Sequence, residues 1–339
     1  MRPIELKFTK TDLVSTEYDP KTKGDGAKTS YALWYSTDYI DISGEYALYF
    51  NLAGHRYIYS LWFYDAEKNF ISGEGLRTTS RCATLRSAAV VPENAVYVRC
   101  ANFVNGNETF KDPFLEALPR AEDYALFEEA HPLLHFTVAC LGDSLTEGDR
   151  GSSAHGISSM GYRNYPFRLA ETLSCTTLNY GKCGYAVSDY LGHYASGEVD
   201  IGNADLILVM LGTNVGMKER AQQLSYTNLL RRIERGKKEG AAVVLITPPH
   251  ATNTPGKASY GHGYPENALS SAEYQRAFAE EHGYLLIDAY KDSPITEENE
   301  ARYQSNDGLH MNEEGYRVFA AFIAEQLREL GVIPPAEGS

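Results

Sequence analysis

The sequence predicts an α/β protein in two parts: a β-sandwich (jelly-roll-like) over residues 1–118, then a three-layer α/β/α domain with a parallel sheet over 135–339. Three observations predict this. The 339 residues exceed the usual length of one domain. The first third carries short aromatic and β-branched runs separated by turn residues, with no long helical period. Beyond residue 134, short apolar runs alternate with stretches of helical periodicity, the signature of a parallel sheet covered by helices.

The N-terminal strands are read at 45–53 (EYALYFNLA), 57–65 (YIYSLWFYD) and 95–103 (AVYVRCANF). Gly54, Gly73, Gly75, Pro92 and the pair Asn105-Gly106 bound them. Tyrosine is abundant, 25 residues with many before position 110. Such rings suit half-buried strands and sugar-facing surfaces alike. A linker helix is predicted over 119–134, with Ala121, Tyr124, Ala125 and Phe127 on one stripe.

In the second part, strands are predicted at 135–141, 175–178, 204–211, 241–247 and 284–289. Helices are predicted at 165–173, at 218–240 (stripe Ala221, Leu224, Leu229, Leu230, Ile233) and at 271–282. A closing helix is predicted at 313–330, with Asn312 as its N-cap and Tyr316, Phe319, Phe322, Ile323 and Leu327 as its stripe. In such sheets ligands bind at the carboxyl ends of the strands, so reactive residues should follow the strands directly. Two loops on that edge, 151–161 and 252–267, are rich in Gly, Ser, Tyr and Pro.

Composition excludes several classes of function. The net charge of −14 disfavours a nucleic-acid binder, which needs clustered Lys and Arg. Arg231, Arg232, Arg235, Lys237 and Lys238 form a short basic cluster that reads as a solvated helix face. No run reaches the roughly 20 apolar residues of a membrane span. Five cysteines without a C-x-x-C pair argue against a zinc knuckle or a dense disulfide framework. The N-terminus has no apolar signal-peptide core, which places the chain as given in the cytoplasm. A chain from which a signal had been removed would instead be secreted.

There is no G-x-S-x-G elbow, no phosphate-binding G-x-x-x-x-G-K-[ST], no G-x-G-x-x-G and no H-E-x-x-H, and the nine histidines lack metal-ligand spacing. The strand at 135–141 instead runs into Gly142-Asp143-Ser144-Leu145. Three further short blocks follow in order. Asn179-Tyr-Gly-Lys-Cys-Gly184 follows a strand-like stretch, Gly212-Thr213-Asn214-Val215 follows the run at 204–211, and Asp307-Gly308-Leu309-His310 precedes the closing helix. Across residues 135–330 the chain resembles the SGNH/GDSL hydrolases, a family of Ser-His-Asp esterases and acylhydrolases. The first 120 residues lie outside this resemblance, although small β-sandwich domains accompany such hydrolases in carbohydrate-active proteins.

The resemblance implies Ser144 as nucleophile, His310 as base and Asp307 as its orienting acid. It implies an oxyanion hole formed by the Ser144 N–H, a glycine N–H and the Asn214 amide. Spacing favours Gly184 as that glycine, with Gly181 the alternative. Val215 departs from the family's usual Asp and puts the support of Asn214 in doubt. No metal or cofactor is required. The expected substrate is a small-molecule or saccharide ester carrying a short acyl group, acetyl above all, with Tyr260 and Tyr264 as substrate-binding rings. The alternatives are a lipase or thioesterase for longer acyl chains and a non-catalytic carbohydrate-binding protein with a degenerate hydrolase fold. The alcohol part and the oligomeric state stay open.

Overall fold

The computed structural model describes residues 1–10, 34–54, 60–74, 82–105, 108–109, 112–148, 164–252, 255–257, 261–305 and 307–335. By its internal contacts the chain divides into two units, Met1–His135 with Ser174–Thr176, and Phe136–Leu173 with Thr177–Ser339.

The first unit contains β1 (Arg2–Ile4), β2 (Thr9–Lys10), β3 (Trp34–Ser36), β4 (Ile40–Asp41), β5 (Ala47–Gly54), β6 (Leu61–Tyr64) and β7 (Phe70–Glu74). It continues with β8 (Cys82–Val90), β9 (Tyr97–Asn105), β10 (Glu108–Thr109), β11 (Phe114–Leu118) and helix α1 (Ala121–Ala130). Antiparallel pairing orders β1-β11-β5-β8 on one side, and β2-β3-β9-β6-β7 on the other, with β4 and β10 added to β9. Alternation along β5 explains how the two sheets share a core. Leu48, Phe50 and Leu52 join Leu61 and Phe63 of β6 and Val98 and Cys100 of β9 in one buried cluster.

The opposite side chains of β5, Ala47 and Tyr49, meet Phe127 of α1, with the Tyr49 and Phe127 rings 4.7 Å apart. The stripe predicted for this helix is only partly formed. Phe127 is its one buried residue and Tyr124 packs half-buried beside it, while Ala121 and Ala125 are exposed, because these two rings anchor the helix. Cys100, Cys140 and Cys175 are buried, and Cys183 is half-buried.

The second unit alternates strands and helices. Its strands are β12 (Thr137–Gly142), β13 (Thr176–Gly181), β14 (Leu206–Met210), β15 (Ala242–Ile246) and β16 (Leu285–Ile287). Its helices are α2 (Ser144–Glu147), α3 (Tyr165–Leu173), α4 (Val187–Ala195), α5 (Arg220–Gly236), α6 (Tyr264–His282), α7 (Ala289–Asp292), α8 (Glu300–Tyr303) and α9 (Glu313–Glu329). The order is β13-β12-β14-β15-β16, and the β12–β14, β14–β15 and β15–β16 pairs are parallel. Every residue of β12 and β14 is buried, which is why these strands read as continuous apolar runs. Helix α3 packs with α9, and α4 with α5. The chain leaves β12 first for β13 on one side and later for β14 on the other. The carboxyl end of β12 is therefore the switch point where such sheets open a crevice.

Two predicted helices differ in detail. On α5 the buried face is Gln222, Tyr226, Leu229, Leu230 and Ile233. Ala221 and Leu224 lie off that face, and Leu224 is 51% exposed. Helix α6 starts at Tyr264, seven residues before the predicted 271, so the end of the loop predicted over 252–267 is helical. Pro265 sits in its first turn, where a missing N–H breaks no bond. Among the described residues no helix is long and apolar enough to cross a membrane.

Candidate active site

The tight junction of β12 and α2 positions Ser144. A Cβ on Gly142 would lie 2.0 Å from the Thr146 hydroxyl, so only glycine lets the helix fold back onto the strand end. Asp143 is the N-cap of α2, and its Oδ1 accepts from the Leu145 N–H at 3.0 Å. Ser144 is thereby placed on the first helical residue and is 3% exposed.

The second half of the site is the turn before α9. Asp307 Oδ1 accepts from the Ser305 hydroxyl at 2.7 Å and from the Leu309 and His310 N–H groups, each at 3.0 Å. Asp307 Oδ2 lies 2.5 Å from His310 Nδ1. Burial alone would raise the Asp307 pKa. The hydrogen bond and charge of His310, the Leu309 N–H and the Ser305 hydroxyl more than offset it, so the carboxyl is held below its ordinary value. An ionised carboxylate only accepts, so Nδ1 carries the imidazole proton and Nε2 of the neutral ring is left as an acceptor. Nε2 lies 2.8 Å from Ser144 Oγ. Asn312 caps α9 through the Gly315 N–H at 2.9 Å and so fixes where this turn enters the helix.

Beside Ser144 runs the turn that follows β13. The Lys182 N–H donates to the Gly142 carbonyl at 2.9 Å, and the Cys183 N–H to Glu147 Oε2 at 2.6 Å. The two candidate glycines differ sharply. Gly181 is pressed against the Glu147 backbone, and its N–H is spent on Asn179 Oδ1 at 2.8 Å. Gly184 has φ +75° and open space around it, and among the described residues its N–H has no acceptor. The Ser144 N–H is likewise without one. Asn214 Nδ2 gives one hydrogen to the Tyr185 carbonyl at 3.1 Å, which leaves the other free to point elsewhere.

Burial pushes the Asp143 carboxyl up to about 6, despite the Leu145 N–H that stabilises its charge. This carboxyl is buried beside Thr213, whose hydroxyl and N–H also favour the charged form without offsetting the burial. Tyr264 is half-buried, and its hydroxyl is pushed up by burial and then by the nearby Asp307, Cys183 and Asp143. Its ring stacks on His262 at 5.9 Å. Tyr260 and the loop over 151–161 lie outside the described residues. Among the described residues no group of three His, Cys, Asp or Glu side chains could hold a metal ion.

Sequence reasoning did not single out Glu147 or Ser305. Each stands within three residues of Ser144 or Asp307, and that proximity was the available signal.

A hydroxyl, an imidazole and a carboxylate in hydrogen-bonded series at the carboxyl edge of a parallel sheet have the layout of the serine hydrolases as a class. Residues 140–318, just over half of the chain, match the GDSL-like lipase/acylhydrolase family. The chain belongs to this family and is a carboxylic ester hydrolase. Solved structures similar to it include a carbohydrate acetylesterase family member from Sinorhizobium meliloti (20% identity, TM-score 0.47, covering 58% of this chain and 100% of that one). A lipase/acylhydrolase from Enterococcus faecalis is also similar (20%, 0.45, 57% and 96%). So is the aryl esterase of M. smegmatis (19%, 0.45, 57% and 99%). No curated protein matches the chain.

Proposed function

We propose that the protein hydrolyses short acyl esters, acetyl above all, carried on carbohydrate, through an acyl-enzyme on Ser144. His310 Nε2 takes the Ser144 proton as Oγ bonds to the ester carbonyl carbon. The negative charge that develops on the carbonyl oxygen is met by the Ser144 N–H, the Gly184 N–H and the free hydrogen of Asn214 Nδ2. The carbon–oxygen bond to the alcohol then breaks, and the alcohol leaves with the proton from His310. Water attacks the acyl-enzyme, giving its proton to His310, and the carboxylic acid departs as Ser144 recovers that proton. Asp307 keeps the ring in the required tautomer and takes no proton.

The observation that carries this reading is the pair of contacts at His310, 2.8 Å to Ser144 Oγ and 2.5 Å to Asp307 Oδ2. The choice of Gly184 over Gly181 rests on the unspent N–H of Gly184. The short-acyl preference rests on the chemistry of the 151–161 and 252–267 segments, which supply Ser, His, Tyr and Gly where an alkyl tunnel would need Leu, Ile and Phe. Each buried methylene contributes about 0.8 kcal/mol, so a tunnel for six of them would gain roughly 5 kcal/mol that these segments forgo. The half-buried ring of Tyr264, beside Asp307, is a platform on which a sugar could stack. The unit Met1–His135 contributes none of the reacting groups and is proposed as an accessory domain.

The test is kcat/KM across p-nitrophenyl esters from C2 to C12, below their micelle-forming concentrations, with acetylated saccharides in parallel. A maximum at C2 to C4 is expected. A maximum at C8 or beyond would replace this reading with a lipase or thioesterase.

A further inference from the structure

The segment Leu211–Asn214 leaves β14 through Gly212, at φ +118°, into a bend, and it carries the asparagine proposed as an oxyanion donor. Its carbonyls are held from helix α6. Gln275 Nε2 donates to the Leu211 carbonyl at 2.8 Å, and Ser271 Oγ to the Gly212 carbonyl at 2.9 Å. Asn267 Nδ2 donates to the Thr213 carbonyl at 3.3 Å and to the Asn214 carbonyl at 3.1 Å. Residues 267, 271 and 275 stand four apart, so they lie one above another on a single helix face. Four consecutive carbonyls are thus read by three consecutive turns of α6. The fit is close, since a Cβ on Gly216 would fall 2.3 Å from Ser270 Oγ and 2.9 Å from the Asn267 Cα.

Val215 stands where the family pattern carries an acid, and its aliphatic side chain can neither donate nor accept. We infer that Asn267 is the positioning residue for Asn214, fixing the main chain of the oxyanion asparagine as the last rung of the Asn267–Ser271–Gln275 ladder. Gln275 and Ser271 are fully buried and hold the root of the segment. Among the described residues Asn267 alone reaches the carbonyl of Asn214. The Tyr185 carbonyl holds the side chain of Asn214 from the other direction. Asn214 is thereby gripped at both ends, and its remaining amide hydrogen has one direction in which to point.

This inference rests on the oxyanion role proposed for Asn214, and a double-mutant cycle separates the two. Asn267→Ala, Asn267→Asp, Asn214→Ala and the Asn267→Ala/Asn214→Ala double variant are assayed on p-nitrophenyl acetate, with thermal unfolding of each recorded. Asn267→Ala should lower kcat about tenfold with KM little changed, a fraction of the 10²–10³ that a direct oxyanion donor supplies. Asn267→Asp keeps the shape, loses the donors and sets a carboxylate against two carbonyls, so it should be at least as slow. In the Asn214→Ala background the loss from Asn267→Ala should shrink to less than about twofold. A tenfold loss that persists unchanged in that background would make Asn267 a general structural residue and overturn the inference. So would an Asn267→Ala enzyme within twofold of wild type while Asn214→Ala is severely slowed. If Asn214→Ala itself costs less than about threefold, the oxyanion reading fails first and takes this inference with it. Should Asn267→Ala not fold, Asn267→Ser, which keeps a shorter donor, is read by the same criteria.

Discussion

The two sides of the site are preorganised in opposite ways. The proposed acid–base side is built locally: Ser305, Leu309 and His310, all within one turn, hydrogen-bond the Asp307 carboxylate. The proposed oxyanion side is built at a distance: Leu211–Asn214 is steadied by side chains 53 to 64 residues further along the chain. A local turn brings its carboxylate and imidazole together wherever that turn forms. A segment held by a separate helix is only as well placed as the packing of that helix. Damage to the first side should therefore act on chemistry alone, whereas damage to the second can be inflicted from α6 without touching a reacting group.

The largest effect expected is from Ser144→Ala, which should leave no more than a few per cent of turnover while the protein still unfolds near the wild-type temperature. His310→Ala should be nearly as severe, and Asp307→Ala milder, because the acid orients the ring but takes no proton. Equal residual rates for all three on p-nitrophenyl acetate would suit a shared background, not a triad.

On the oxyanion side, Asn214→Ala should cost about 10²–10³ in kcat. A loss below about threefold would reduce it to a turn former.

The pH profile separates the groups further. Asp307 is held below its ordinary value, so it stays ionised from pH 5 to 8, and its contribution to stability disappears only as the pH falls through the acid range below about 3.8. The acid limb of kcat/KM should therefore belong to His310, the base of the proposed triad. A rate flat from pH 5 to 8, with chemistry limiting, would contradict a histidine base.

The smallest effect concerns Asp143, whose pKa is raised and not lowered. A carboxyl that binds its proton more tightly when folded adds stability below its unfolded value near 3.8, and that contribution is lost as the pH rises through about 6. Asp143→Asn should thus stabilise the protein at pH 7 to 8, by at most about 3 kcal/mol, with the advantage vanishing below pH 4. Denaturant unfolding at pH 4 and pH 8 reads this directly, and equal shifts at both would mean that Asp143 carries no buried charge.

The same contrast explains what could be read from sequence. Asp307 and His310, like Gly142 to Leu145, are neighbours in the chain, and short-range spacing announces them. The buried strands β12, β14 and β15 are equally legible, because burial on both faces leaves only apolar residues. Asn267, Ser271 and Gln275 were hidden, because their partners lie on another element and Gly263-Tyr264-Pro265 looks like a loop. The four-residue spacing of Asn267, Ser271 and Gln275 was the available trace. Ala221 and Leu224 misled for a related reason, since the face of α5 that is buried is chosen by its neighbours and not by the helix itself.

The central claim, that Ser144 is the nucleophile activated by His310, is tested most directly by a fluorophosphonate probe followed by mass spectrometry of the digested protein. Wild-type protein should carry one adduct, on the peptide containing Ser144, with p-nitrophenyl acetate turnover lost in step. Ser144→Ala should take up none. An adduct on a different residue, or undiminished turnover once Ser144 is fully labelled, would contradict it.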